Sequence, residues 1–167
     1  MCETCGGTSE ERIRLDMRRT IERYGWALQY VESTVDRSGV HPAYCYTVGL
    51  TGHGLPELVI TGRVSDQSAV VLSELGSVLL DGSRLGPGDE VTVGGLDVCL
   101  VEVRECESWL LRAVEHHGRI RALQVVWADC QGRYPWEGAH GSTEWTGAVA
   151  HLQPLLGPPP GGIVVPS

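Results

Sequence analysis

Lysine, asparagine and phenylalanine are absent from this 167-residue chain, and all 13 of its positive side chains are arginines. The three missing residues share AT-rich codons, which points to a GC-rich source genome. Without lysine there is no Schiff-base chemistry, a pyridoxal phosphate Schiff base included, and no P-loop lysine for a nucleotide's phosphates. Positive charge is scarce too: 21 Asp and Glu against 13 Arg leave a net charge of -8. Such a field repels polyanions, and nucleic-acid binding needs a basic patch that displaces counterions. The densest basic run, Arg12 to Arg23, is interleaved with Glu10, Glu11, Asp16 and Glu22 and reads as a solvated helix face. The same charge speaks against an anionic membrane surface. No apolar run approaches the roughly 18 to 20 residues that span a bilayer. The first residues, Met1-Cys2-Glu3-Thr4-Cys5-Gly6-Gly7, lack the basic and apolar regions of a signal peptide. The expectation is a cytoplasmic protein whose six cysteines are thiols or metal ligands rather than disulfides.

What is present, 42% hydrophobic and 20% charged residues, suits one globular domain. A chain this long buries about two-thirds of its unfolded surface, so it folds without a metal or disulfide staple. Thr8 with Glu11 forms a capping box, and Ile13, Met17, Ile21 and Tyr24 recur at helical spacing up to Gly25, which predicts a helix over 8–24. Strands are expected at 26–31, 43–50 and 57–61, with a turn-rich loop at 36–42. On the second strand, alternation puts Tyr44, Tyr46 and Val48 on one face and Cys45, Thr47 and Gly49 on the other. Ser65 is a cap for a helix with an apolar stripe of Val71, Leu72, Leu75, Val78 and Leu79, ending near Gly82. Gly94-Gly95 between strands 90–93 and 97–103 marks a hairpin. A short helix over 107–117 and a strand over 122–128 follow. The pattern indicates an α+β domain with a mainly antiparallel sheet and three helices over 1–153, and a Pro/Gly-rich tail over 154–167, expected extended rather than packed.

Four segments carry a resemblance: Cys2-x-x-Cys5; Ala43-Tyr44-Cys45-Tyr46-Thr47-Val48-Gly49-Leu50; Leu55-Pro56-Glu57-Leu58-Val59-Ile60-Thr61-Gly62; and Leu123 to Asp129 continuing through Gly132-Arg133-Tyr134-Pro135-Trp136-Glu137. With these the chain resembles the mainly bacterial domain-of-unknown-function family 4262 over residues 2–137. The resemblance implies relatives and no particular reaction. Family members often show His-Pro-Glu-Leu where this chain has Leu55-Pro56-Glu57-Leu58, with a histidine at 53 instead.

Four candidate sites follow from the residues. Cys2 and Cys5 have the spacing to grip one soft ion, zinc, iron or copper, from a tight turn, although two further ligands would have to arrive through the fold. Redox chemistry and inert thiols are the competing readings. The second site is the unit from Tyr44 to Glu57: its glycines let backbone approach a ligand, Tyr46 and Thr47 offer hydroxyls, Tyr44, Thr47 and Gly49 are the candidate ligand-binding residues, and His53 with Glu57 supplies an acid–base pair. The competing reading gives the glycines to a turn and Glu57 to a structural bond. His116 and His117 point about 100° apart on a helix, which disfavours a shared ion and leaves a helix C-terminal role. Trp127, Asp129, Trp136 and Glu137 either wall a pocket or seal the core.

The leading expectation is that the Tyr44–Glu57 unit and the Trp127–Glu137 loop enclose one pocket for a small molecule, with no activity assigned. If the protein is an enzyme, the expected chemistry is acid–base catalysis by His53 and Glu57 with Tyr46 as hydrogen-bond donor, on a substrate that is not strongly anionic. A metal-dependent protein built on Cys2 and Cys5 is the first rival. A non-catalytic partner module with the proline-rich tail as docking segment is the second.

Overall fold

The computed structural model describes residues 3–137 and 153–160. Helix α1 (Glu3–Tyr24) leads into β1 (Ala27–Val31), a short β2 (Thr34–Asp36) and β3 (Gly39–His41), then β4 (Tyr44–Val48). A 3-10 turn (Leu50–His53) connects to β5 (Glu57–Thr61), and α2 (Ser65–Leu80) follows. Next come β6 (Glu90–Val93), β7 (Leu96–Glu102), α3 (Cys106–Trp109), α4 (Leu111–His117) and β8 (Ala122–Trp127). Six strands form one sheet in the order β1-β4-β5-β8-β7-β6, and β2 pairs only with β3. Every pairing is antiparallel except β5 with β8, so the chain is an α+β domain with a mainly antiparallel sheet.

β5 and β8, the middle strands, are buried at every position, as expected where both faces of a sheet are covered. On one face lies α2, whose Val71, Leu72, Leu75 and Leu79 pack on Cys45, Leu58, Ile60, Leu100, Leu123 and Val125. Burial of each such side chain is worth about 1.5–3 kcal/mol. Val78, at the margin of the expected stripe, stays exposed. The other face is covered in parts. Met17 and Ile21 of α1, Cys106 of α3, Ala113 of α4 and Leu110 between those two helices meet Tyr46, Val48 and Val59. Farther along, Tyr134, Trp136 and Leu155 meet Cys99, Val101 and Val126.

Helix ends and the hairpin follow the local signals. The Gly25 N–H bonds the Ile21 carbonyl at 2.7 Å and closes α1. Gly94 and Gly95, with φ of 56° and 78°, join β6 to β7 with Val93 opposite Leu96, the two positive φ angles of a primed turn. Four features differ from expectation. α1 starts at Glu3, so Thr8 lies inside it rather than capping it. Residues expected as a loop over 36–42 instead complete the β2–β3 hairpin, whose turn is set by the Ser38 N–H bonding Asp36 Oδ1 at 2.7 Å. The helix expected over 107–117 is two helices, because Leu110 leaves helical geometry (φ -105°, ψ 54°) to stay fully buried. Val64, not Ser65, is the N-cap of α2.

Residues 153–160 dock on the sheet, so the described part of the tail expected to be extended rather than packed is held; residues 161–167 lie outside the described residues. The Gln153 side chain mimics a strand partner: Oε1 accepts from Trp127 N at 2.6 Å and Nε2 donates to Trp127 O at 3.0 Å. Gln124 reciprocates, donating to Pro154 O at 2.8 Å and accepting from Leu156 N at 2.8 Å. Two buried glutamines therefore satisfy backbone groups that no strand reaches. Gly157 passes so close that an added Cβ would lie 1.7 Å from the Glu102 carbonyl oxygen. No helix among the described residues is long and apolar enough to cross a membrane.

Gly157→Ala must lift this segment, and the loss of the Gln124–Leu156 and Arg104–Leu156 bonds predicts about 1–3 kcal/mol of destabilisation. Urea denaturation reads it directly, and an unchanged midpoint contradicts the docking.

Candidate functional site

Glu57 opens β5 with a side chain that is wholly buried. Its carboxylate accepts four hydrogen bonds: Thr47 Oγ1 at 2.6 Å on Oε2, and Gly49 N at 2.9 Å, Thr51 Oγ1 at 3.0 Å and Thr51 N at 3.1 Å on Oε1. The Thr47 hydroxyl in turn accepts from Leu58 N at 2.9 Å. One acid thus ties the end of β4, the 3-10 turn and the start of β5 together. Gly49 is required there: with φ of 120°, it would carry a Cβ 2.8 Å from the Trp26 Cα.

His53, expected beside Glu57, faces the other way. Its Nε2 bonds the Gly25 carbonyl at 3.0 Å across the α1–β1 corner, and no hydrogen bond joins it to Glu57. His117, at the end of α4, stands at the acid instead, with Nε2 3.9 Å from Glu57 Oε1. That separation exceeds hydrogen-bonding range, and the buried nitrogen has no partner among the described residues. Burial lowers the His117 pKa below its ordinary value, the adjacent His116 lowers it further, and Glu57 opposes both.

Tyr46 lies on the opposite face of β4 from Cys45, as alternation predicts. Its hydroxyl oxygen accepts the Arg112 backbone N–H at 3.0 Å, occupying a donor that the first turn of α4 leaves unpaired. Burial pushes the Tyr46 pKa up to about 12, so the phenol keeps a proton to donate. Tyr44 stacks on Tyr46 with ring centroids 6.0 Å apart and meets the Trp109 ring edge-on at 5.3 Å.

These tyrosines floor one end of a groove between α1 and α4. A cavity of about 320 Å³ is bordered by Tyr44, Tyr46, Gln29, Leu111 and Arg112, with Glu10 at its rim, and an adjoining one of about 350 Å³ by Arg14, Met17, Arg18, Arg112, Glu115 and His116. The two share Arg14, Arg112 and Glu115. Adjacent His116 and His117 therefore serve different surroundings, one the groove and the other the buried acid, as their angular separation on a helix requires.

The late tryptophan loop lies elsewhere. Trp127 packs on the α2 side of the sheet, and its indole N–H donates to Thr61 O at 2.8 Å. Asp129 accepts from Gln131 N at 2.8 Å, Arg133 N at 2.9 Å and Arg133 Nε at 3.3 Å. Trp136 stacks on Tyr134 at 5.1 Å, and Glu137 accepts the Tyr134 N–H at 2.7 Å. Tyr134 and Trp136 cover β7 and β8, and three strand spacings of about 4.8 Å separate β7 from β4. The cleft at Trp127 and Asp129, about 320 Å³, is bordered by Arg63, Leu96 and Asp97 and by no residue of the Tyr44–Glu57 unit.

Of the metal candidates, Cys2 lies outside the described residues and Cys5 falls within α1. Among the described residues no group of three or more His, Cys, Asp and Glu side chains is placed to hold an ion. Cys45, Cys99 and Cys106 are buried free thiols, and Cys130 is exposed. On the β2–β3 hairpin, Asp36, Ser38 and His41 imitate a hydrolytic triad. Both Ser38 Oγ (3.1 Å) and Asp36 Oδ2 (2.9 Å) meet the same ring nitrogen, His41 Nε2, so no proton can pass through the ring from one to the other.

Glu57→Gln replaces an oxygen that only accepts with an amide that meets donors, and about 2–4 kcal/mol of stability should be lost in urea. His117 sets a pH dependence: with its folded pKa depressed below 6.5, the unfolded chain binds more protons, so stability declines as pH falls below about 6.5. His117→Leu should flatten that slope between pH 5 and 7. An unaltered slope excludes the assignment.

The family model described as Domain of unknown function (DUF4262) matches residues 20–140. No curated protein and no solved structure matches the chain.

Proposed function

We propose, for a chain that belongs to the family Domain of unknown function (DUF4262), that it binds a small molecule in the groove between α1 and α4. The observation that carries this reading is the pair of adjoining cavities, about 350 and 320 Å³, the smaller of them bordered by the stacked Tyr44 and Tyr46 rings. Ligand sites are typically concavities of roughly 300–1,000 Å³ with a largely apolar wall and a few convergent polar groups. Here the tyrosine faces, Met17 and Leu111 give the apolar wall. The Tyr46 hydroxyl, Gln29 and Arg112 give the polar points.

The acid–base reading follows the same geometry. Tyr46 is the member of the expected catalytic set that borders the groove, and His116 joins it from α4. Glu57 and His53 are spent on the loop and the α1–β1 corner, where each holds backbone. In this reading Tyr46 donates a hydrogen bond to the ligand and His116 takes or gives a proton beside it.

A fragment screen by protein-observed NMR on the full chain tests the proposal. Hits should shift the signals of Tyr44, Tyr46 and Arg112. Tyr46→Phe should weaken them about three- to ten-fold, the worth of one lost hydrogen bond. Hits gathered at the Trp127–Asp129 cleft, with the tyrosines undisturbed, would refute it.

A further inference from the structure

We infer that the groove takes a compact anion, a phosphate monoester or a carboxylate. The inference rests on the reading of the groove as the ligand site and adds the chemistry of what enters it.

Charge is the first observation. In a chain of net charge -8, the groove is bordered by three arginines, Arg14, Arg18 and Arg112, with His116 beside them, against two acids: Glu115, and Glu10 at the rim of the smaller cavity, 4.0 Å from Arg14. The whole-molecule field that argued for a ligand without strong negative charge acts on large polyanions. A small anion inside the groove feels the nearest groups, since charges beyond a screening length of about 8–10 Å are damped.

The second observation is what already sits there. Glu115 reaches Arg112 at 3.2 Å and Arg14 at 3.6 Å, so one of the protein's own carboxylates lies between two guanidiniums. A carboxylate thus fits between the two guanidiniums, each approaching it through one nitrogen, and guanidinium groups serve carboxylate and phosphate alike. Glu115 is itself half exposed and Arg14 likewise, and exposed pairs of this kind contribute little, so an incoming anion displaces Glu115 cheaply. The Arg112 side chain is only 19% exposed, which strengthens its pull on a ligand that does reach it.

Two further donors complete the set. Arg18 makes no ion pair among the described residues and faces the same cavity. The Tyr46 phenol, which keeps its proton, borders the adjoining cavity, where Arg14, Arg112 and Glu115 are shared. Glu115 therefore acts as an internal occupant that a ligand replaces, and its removal should favour binding. That sign separates a built site from a general attraction of anions to arginine.

Protein-observed NMR titrations of the full chain with inorganic phosphate and, separately, with succinate test this, at ionic strength held constant with chloride. The Arg112 amide and the Tyr46 ring should respond. Arg18→Gln should raise the dissociation constant about five-fold and Glu115→Gln should lower it by a similar factor. Arg37→Gln, on the β2–β3 hairpin, should leave it unchanged. A response to phosphate alone assigns a phosphate ester, and one to succinate alone assigns a carboxylate; both support the inference. Equal effects of Arg18→Gln and Arg37→Gln, or no tightening in Glu115→Gln, overturn it. Neutral fragments that shift Tyr44 and Tyr46 while neither anion does so overturn the anion and leave the groove reading intact. If no probe of either kind moves those signals, both fall.

Discussion

The Glu57 carboxylate, shut away from water and surrounded by the donors of Thr47, Gly49 and Thr51, is the interaction on which the rest of the arrangement hangs. An acid in that position without partners would cost several kcal/mol, so it dictates that the chain between β4 and β5 turns its N–H groups inward. The same bonds fix where β4 ends. Gly49 lies against Trp26, and His53 fastens the Gly25 carbonyl, so the corner between α1 and β1 is set by the loop that Glu57 gathers.

From that corner the groove follows. α1 leaves the sheet over β1 and β4 and carries Arg14, Met17 and Arg18 along one wall. The opposite wall is α4, held to the sheet by the Tyr46 hydroxyl under its first turn and by Ala113 in the core. Tyr46 thus has two partners in view, the helix backbone it caps and the space beside it. One face of β4 feeds the α2 core through Cys45, while the other supplies the two stacked rings. The buried acid and the groove share β4 without sharing a cavity, which separates the residues that hold the fold from those that border the groove.

Much of the fold is legible in the sequence because its cues are local. The continuous apolar runs of β5 and β8, the α2 stripe, the Gly94-Gly95 turn and the alternation on β4 each need only a few neighbouring residues. What was not legible depends on distant ones. His53 is four residues from Glu57, so proximity along the chain suggested a pair. The parallel pairing of β5 with β8 instead brings the end of α4 to the start of β5, where Glu57 N bonds Arg121 O at 2.9 Å, and delivers His117. Arg112 and Arg18 read as ordinary surface charge until helix packing faces them toward each other across a groove. The break at Leu110 is a choice of the core over helix propensity. The two site halves expected to meet, Tyr44–Glu57 and Trp127–Glu137, are kept apart by strand order, which no local pattern encodes.

Native-state hydrogen exchange at the amides of Gly49, Thr51 and Arg112 tests the central claim most directly. If the buried carboxylate and the tyrosine cap hold loop and helix as one unit, these three protons exchange only with global unfolding, at the level of the β5 amides. Exchange of Gly49 and Thr51 through local opening, while β5 stays protected, would contradict the account.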